Sequence, residues 1–294
     1  MHGTMLKDKE YIWFEKTDKG YWLRCIMHNR RRFADSARGQ SVTIGFDDSI
    51  KKEHLLPLHL TTLACLIQYL FNNGYQVDLS QSNNDVFEFI FDDLKMNQYF
   101  GGGVNHVDAD VSDNIFNLWR IVKGEMDLYA KKVELYFKNQ YFCDKDLSPL
   151  NIGLTESYYN VFDHADAGNV AFSLIKYDEE RKIVHAAICD FGIGIVNSVK
   201  RFVGNINSDV RALELALKNS FTVKSTERNK GFGLDNIISN SDTIRVFSGC
   251  ALFVKNNLVR KFYKTDFEFD GSLIYLEVDT SKLETEEIIN NFEW

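Results

Sequence analysis

Three polar side chains in LTESYYNVFDHADAG, Leu154 to Gly168, are the first candidates for chemistry: Glu156, Asn160 and His164, spaced four residues apart. On a helix this spacing puts them on one face. A carboxylate able to accept a proton then lies one turn from an amide oxygen, a hard ligand for a hard cation. The same spacing also serves a plain solvated face, opposite the apolar stripe of Leu150, Leu154, Tyr158, Val161, Phe162 and Ala165. The company downstream weighs toward chemistry. In CDFGIGI, Asp190 stands at a strand end, where its carboxylate can accept a hydrogen bond from an exocyclic amine. Gly192 and Gly194 behind it let backbone approach a flat ring closely. In NKGFGLDNI, Gly231 and Gly233 precede an apolar helix whose free amides suit phosphates.

Either glycine pair alone is a weak signal, since glycines also serve plain turns. The ordered set ESYYNVFDH, DFGIG and GFGL resembles the three boxes of the GHKL superfamily, which includes the ATP-binding domains of gyrase and sensor histidine kinases. The resemblance spans roughly Phe116 to Asp279 and, in its E-x-x-x-N-x-x-x-H form, is nearest to the stand-alone anti-sigma-factor kinases. It implies a Bergerat-type sandwich of helices on a mixed sheet, with ATP and Mg²⁺ as cofactors. It further implies that Asn160 binds Mg²⁺, that Asp190 reads the adenine amine, and that Gly192 and Gly194 give the ring and sugar room. Gly231, Gly233 and Leu234 would hold the phosphates, Lys224 could reach the γ-phosphate, and Glu156 would orient or deprotonate an attacking water. His164 is followed by Ala165 where the anti-sigma type has glycine, which leaves it between a supporting role and a solvated one. The stretch from Ile195 to Lys230 is expected to be a lid, mobile without ligand.

The elements that must position these residues read as follows. YIWFEK and YWLRCIM are expected as strands separated by TDKG, followed by a strand SVTIGF, a helix from Pro57 to Asn73-Gly74, a strand YQVDL and a helix NDVFEFIFDDLKM capped by Asn84 or Asp85. This α/β unit, residues 1–114, resembles a STAS-type regulatory domain through VTIGFDDSIKKEHLLPLHLTTLACLIQYLFNNGYQVDL; LPLHLTT lacks the phosphoacceptor serine of that family, which argues against phosphotransfer in cis. Residues 115–294 read as an ATP-binding domain with a short acidic tail. Its two helices, MDLYAKKVELYFKNQYF and SPLNIGLTESYYNVFDHA, precede a hairpin turning at Glu179 to Arg181. A loop-and-helix region, a helix near Leu234 and four strands, TIRVFSG, ALFVKN, LVRKFYK and SLIYLEVD, complete it. The class is α+β.

Composition narrows the partners. A net charge of −8 argues against general nucleic-acid binding, and HNRRRFADSAR, His28 to Arg38, is read as a solvated charged loop. The five cysteines lie far apart, without disulfide or zinc spacing, and His106 and His185 lack ligand spacing and read as structural or solvated. No apolar stretch is long enough to span a bilayer, so a cytoplasmic setting is expected. Three functions stay open: slow ATP hydrolysis coupling nucleotide state to a regulatory protein partner, a Ser/Thr or His-type kinase acting in trans, and a non-hydrolysing nucleotide-switched module. A homodimer is compatible with any of them. A complete sensor kinase is disfavoured, because MDLYAKKVELYFKNQYF carries no phosphoacceptor histidine.

Overall fold

Alternation along the strands of the larger sheet organises the molecule, because it feeds two cores at once. The computed structural model describes residues 10–35, 39–100, 114–122, 124–164, 170–218 and 241–286. The first strands are β1 (Glu10–Phe14), β2 (Ser41–Phe46) and β3 (Gln76–Leu79), all parallel in the order β1-β2-β3. Their crossovers are the helices α1 (Lys19–Arg32) and α2 (Pro57–Asn72), and α3 (Asn84–Glu88) follows, continuing as a π turn to Asp93. The second sheet is β4 (Ile115–Val122), β5 (Val170–Asp178), β6 (Ile183–Asp190), β7 (Thr243–Asn256) and β8 (Val259–Asp279), antiparallel in the order β4-β5-β6-β8-β7. Helices α4 (Met126–Gln140), α5 (Ser148–His164), α6 (Gly194–Val203) and α7 (Asp209–Ala216) are the remaining α-helices among the described residues.

Phe172, Leu174, Ala187, Cys189, Leu273 and Tyr275 face one core, which they share with Trp22, Leu23 and Ile26 of α1 and Leu60, Leu63 and Leu66 of α2. Their neighbours Ala171, Ile175, Ala186, Ile188, Ile274 and Leu276 face the other, with Tyr129, Leu154, Tyr158, Ile195 and Leu213 of α4 to α7. The result is a mixed α+β protein of four layers: small sheet, α1 and α2, large sheet, α4 to α7. A central helix in such a stack has no solvent face, which is why eleven consecutive residues of α2, Pro57 to Ile67, are all buried.

Several expectations need correction. YWLRCIM belongs to helix α1, not to a strand: Asp18 caps it by accepting from Tyr21 N at 2.8 Å, and Trp22, Leu23, Ile26 and Met27 form a helical stripe. Nor do Arg30, Arg31 and Arg32 of HNRRRFADSAR belong to a solvated loop; Arg38 lies outside the described residues. Arg30, Arg31 and Arg32 form the last turn of α1, where cations suit the helix dipole, and each pairs with an acid: Asp270, Glu268 and Glu10 respectively. The cap of α3 is Asn83, accepting from Val86 N at 3.1 Å, one residue before the expected pair. TIRVFSG and ALFVKN are one strand, β7, and LVRKFYK and SLIYLEVD are one strand, β8. Gly249 and Gly271, with φ of +57° and +111°, bend these strands without ending them. Strand β4 had no counterpart in the reading from sequence.

The five cysteines are free thiols. His185 is buried, its Nδ1 2.8 Å from the Tyr275 hydroxyl. Among the described residues no helix is long and apolar enough to cross a membrane.

Candidate functional site

Asp190 ends β6 on the face turned to the α4–α7 layer, in phase with Ala186 and Ile188. It is 1% exposed, yet both carboxylate oxygens are satisfied: Oδ1 accepts from Gly192 N at 2.7 Å and Oδ2 from Ser272 N at 3.1 Å. Burial pushes its pKa up to about 7, against the downward pull of those amides, the Ser272 hydroxyl and the Arg30 guanidinium. A buried acceptor fixed in direction and poised near neutrality suits recognition of a donor.

The turn after it depends on glycine. Gly194 opens α6 at φ +79°, and a Cβ there would sit 2.3 Å from Gly271 O and 2.6 Å from Ser248 Oγ. A Cβ on Gly271 would sit 2.1 Å from Asp190 O. The two glycines therefore let the turn and β8 cross almost in contact. The first amides of α6 are capped from the sheet: Ile195 N donates to Ser272 Oγ and Val196 N to Ser248 Oγ, both at 3.2 Å.

Helix α5 starts where Asp146 Oδ1 accepts from Ser148 N at 2.8 Å and buries Leu150, Leu154, Tyr158, Val161 and Phe162 as expected. The Tyr158 hydroxyl lies 2.9 Å from Ser173 Oγ, tying the helix to β5. Glu156 is half-buried. Asn160 is only 7% exposed, and its Nδ2 donates to Glu156 O at 2.7 Å. The face is thus not uniformly solvated, and the amide oxygen is the Asn160 atom that could take a cation. Because α5 packs against β6, β8 and α6, Glu156 and Asn160 share a layer with the turn Asp190 to Gly194.

His164 ends α5, and its side chain lies outside the described residues, as do Ala165, Lys224, Gly231, Gly233, Leu234 and His106. The expected lid is corrected in its first two thirds. Residues 195–218 include α6 and α7, whose Ile195, Val196, Val199, Ala212, Leu213 and Ala216 are buried in the core; residues 219–230 lie outside the described set. Apolar residues at helical spacing fasten that stretch to the sheet.

Among the described residues no cluster of three or more His, Cys, Asp or Glu could hold a metal ion. A single amide oxygen suits Mg²⁺ held chiefly by phosphates and water. A cavity of about 560 Å³ beside Asp242 and Lys255, and one of about 490 Å³ beside Phe71 and Phe91, are lined by neither Glu156, Asn160 nor Asp190.

The reading from sequence missed Ser248, Gly271 and Ser272, which brace the turn, and Arg30, which stands behind it. The Gly-Ser break in the alternation of FEFDGSLIYL was the available signal for Gly271 and Ser272; Ser248 and Arg30 gave none. The chain matches no family model, and no curated protein matches it.

Proposed function

We propose that residues 115–294 form a GHKL-type Mg·ATP-binding domain that hydrolyses ATP slowly and couples nucleotide state to a regulatory protein partner, with a STAS-like N-terminal unit. The observation that carries this reading is the Asp190 carboxylate, buried and aligned by two backbone amides at a glycine turn, at the end of a strand that packs against the helix bearing Glu156 and Asn160. Asp190 would accept from the adenine amine, Asn160 would hold Mg²⁺, and Glu156 would take a proton from the attacking water. Lys224, Gly231, Gly233 and Leu234 would hold the phosphates. Bound Mg²⁺ would supply neutralising charge to the phosphoryl oxygens.

The test is calorimetry with Mg·ATP on the full chain and on Asp190→Asn. An amide at this position turns an NH₂ toward the adenine amine, so binding should be lost. Unchanged affinity in the variant, or no binding to the parent, sinks the reading. Labelled ATP, with and without lysate, then separates the chemistry. Free phosphate marks an ATPase, label on protein a kinase acting in trans, and binding with neither outcome a nucleotide-switched module.

A further inference from the structure

We propose that Arg30, on the last turn of α1, is a positioning residue for the nucleotide site, through which the N-terminal layer sets nucleotide affinity; this rests on the nucleotide reading above. Consecutive residues of an extended chain face opposite sides of a sheet. Asp190 faces the α4–α7 layer, and Phe191 packs into the core shared with α1 and α2. There the Arg30 guanidinium lies 5.2 Å from the Phe191 ring centroid and 4.8 Å from that of Tyr69 on α2, a cation against two rings that themselves meet edge to face at 6.4 Å. The same guanidinium pairs with Asp270, the residue before Gly271 and Ser272.

Two chain segments carry the Asp190 carboxylate: the turn, through Gly192 N, and β8, through Ser272 N. Arg30 grips both from behind, the first by Phe191 and the second by Asp270. A shift of α1 against the sheet would therefore move both hydrogen-bond donors of Asp190. A salt bridge serving only to fasten α1 needs none of this, and Arg24 with Asp266, at 3.3 Å and largely exposed, supplies such a control one step away.

The charge of Arg30 gives the test a readout beyond stability, because an ionised Asp190 accepts from adenine more strongly than the protonated carboxyl, whose O–H is itself a donor. The charged and titratable groups around Asp190 are Arg30 from α1, the Cys65 thiol from α2 and the Cys189 thiol on its own strand. In the opposite layer Glu156 stands on α5, and Lys200 of α6 is paired with Asp209. Mg·ATP affinity is measured by calorimetry from pH 5.5 to 8.5 on the full chain and on Arg30→Met, Arg30→Lys, Asp270→Asn and Arg24→Met, with melting temperatures alongside. The ligand's own titration is common to all.

Parental affinity should fall as pH drops through about 7. Arg30→Met should weaken binding about tenfold at pH 7.5 and raise the midpoint by about half a unit or more. Arg30→Lys should keep the midpoint and lose affinity, since a compact ammonium keeps the charge but cannot reach Asp270 and both rings at once as the guanidinium fork does. Asp270→Asn, which unmasks the arginine charge, should lower the midpoint, a direction that loosening alone does not give. Arg24→Met should leave affinity and midpoint unchanged.

If Arg30→Met matches the parent in affinity and midpoint while Asp190→Asn fails to bind, the proposal falls and the nucleotide reading stands. If the parent binds no Mg·ATP, both fall. Should Arg30→Met not fold, Arg30→Lys and Asp270→Asn decide: midpoints unmoved from the parent by Asp270→Asn, or affinity unmoved by Arg30→Lys, overturn it.

Discussion

Exchanging Asp190 for Asn should make the fold more stable at alkaline pH and less stable at acid pH. In the unfolded chain the carboxyl ionises near 3.8; in the folded protein burial holds the proton until about 7. Below the first value both states are protonated and the site has no charge to bury. Between the two the unfolded chain releases its proton while the folded one keeps it, so the parent loses stability as pH rises. A difference of about 3 units corresponds to about 4 kcal/mol, an upper bound for a group so deeply buried. Asparagine carries no charge, but it has one acceptor oxygen for the two amides of Gly192 and Ser272. The lost bond costs about 1 to 3 kcal/mol at every pH. The variant should therefore be the weaker protein near pH 4 and equal or stronger near pH 8. His185 and His59, whose pKa values burial lowers to about 4 and about 3, tilt both proteins the other way, gaining stability as pH rises toward 6.5; they cancel in the difference. Urea unfolding of both proteins from pH 4 to 8 measures it. A difference flat to within about 0.5 kcal/mol across that range would refute the buried charge as its source.

Glu156→Gln should leave Mg·ATP affinity within several-fold of the parent and cut phosphate release by about 10² to 10⁴; Asn160→Ala should weaken binding as well as turnover, and parental turnover in the first variant would remove Glu156 from the chemistry. Gly271→Ala should lower the melting temperature sharply, because its Cβ would lie 2.1 Å from Asp190 O at a φ of +111°; a melt within about 2 °C of the parent would contradict the close crossing. A chain beginning at Asn114 should self-associate in light scattering, since it uncovers Phe172, Leu174, Phe247, Phe269, Leu273 and Tyr275; a monodisperse monomer would show that this face tolerates water.

Local patterns made α2, α4, α5 and the β5–β6 hairpin legible, because each carries its own period and its own stop signal. Other elements hide theirs. A seven-residue window over YWLRCIM shows bulky residues but not the repeat of Trp22, Leu23, Ile26 and Met27, and Asp18 looks as much like a turn as a cap. Strand β4 is buried on nearly every residue from Ile115 to Trp119, so it lacks alternation. Gly249 and Gly271 look like chain breaks until the partner strand is seen to continue past them. At the site, Asp190 and its glycines stand together in the chain and could be found. Ser272 reaches them across 82 residues. Arg30 reaches them through charges that alternate on β8: Asp266, Glu268 and Asp270 answer Arg24, Arg31 and Arg30. Such a match exists only after the chain has folded.

The position of α2 between two sheets sets a condition on how the chain is made. This helix, buried on every residue from Pro57 to Ile67 in the finished protein, leaves the ribosome about 100 residues before β5 and β6, the strands that chiefly cover it. At usual rates of synthesis that interval is roughly 5 to 20 s. For that time the sequence LHLTTLACLI has only the small parallel sheet and α1 to lean on, and its remaining apolar surface is open to any other nascent chain. Yield in cells should therefore depend on elongation rate and on chaperones that shield apolar helices, even for substitutions that leave the folded stability unchanged.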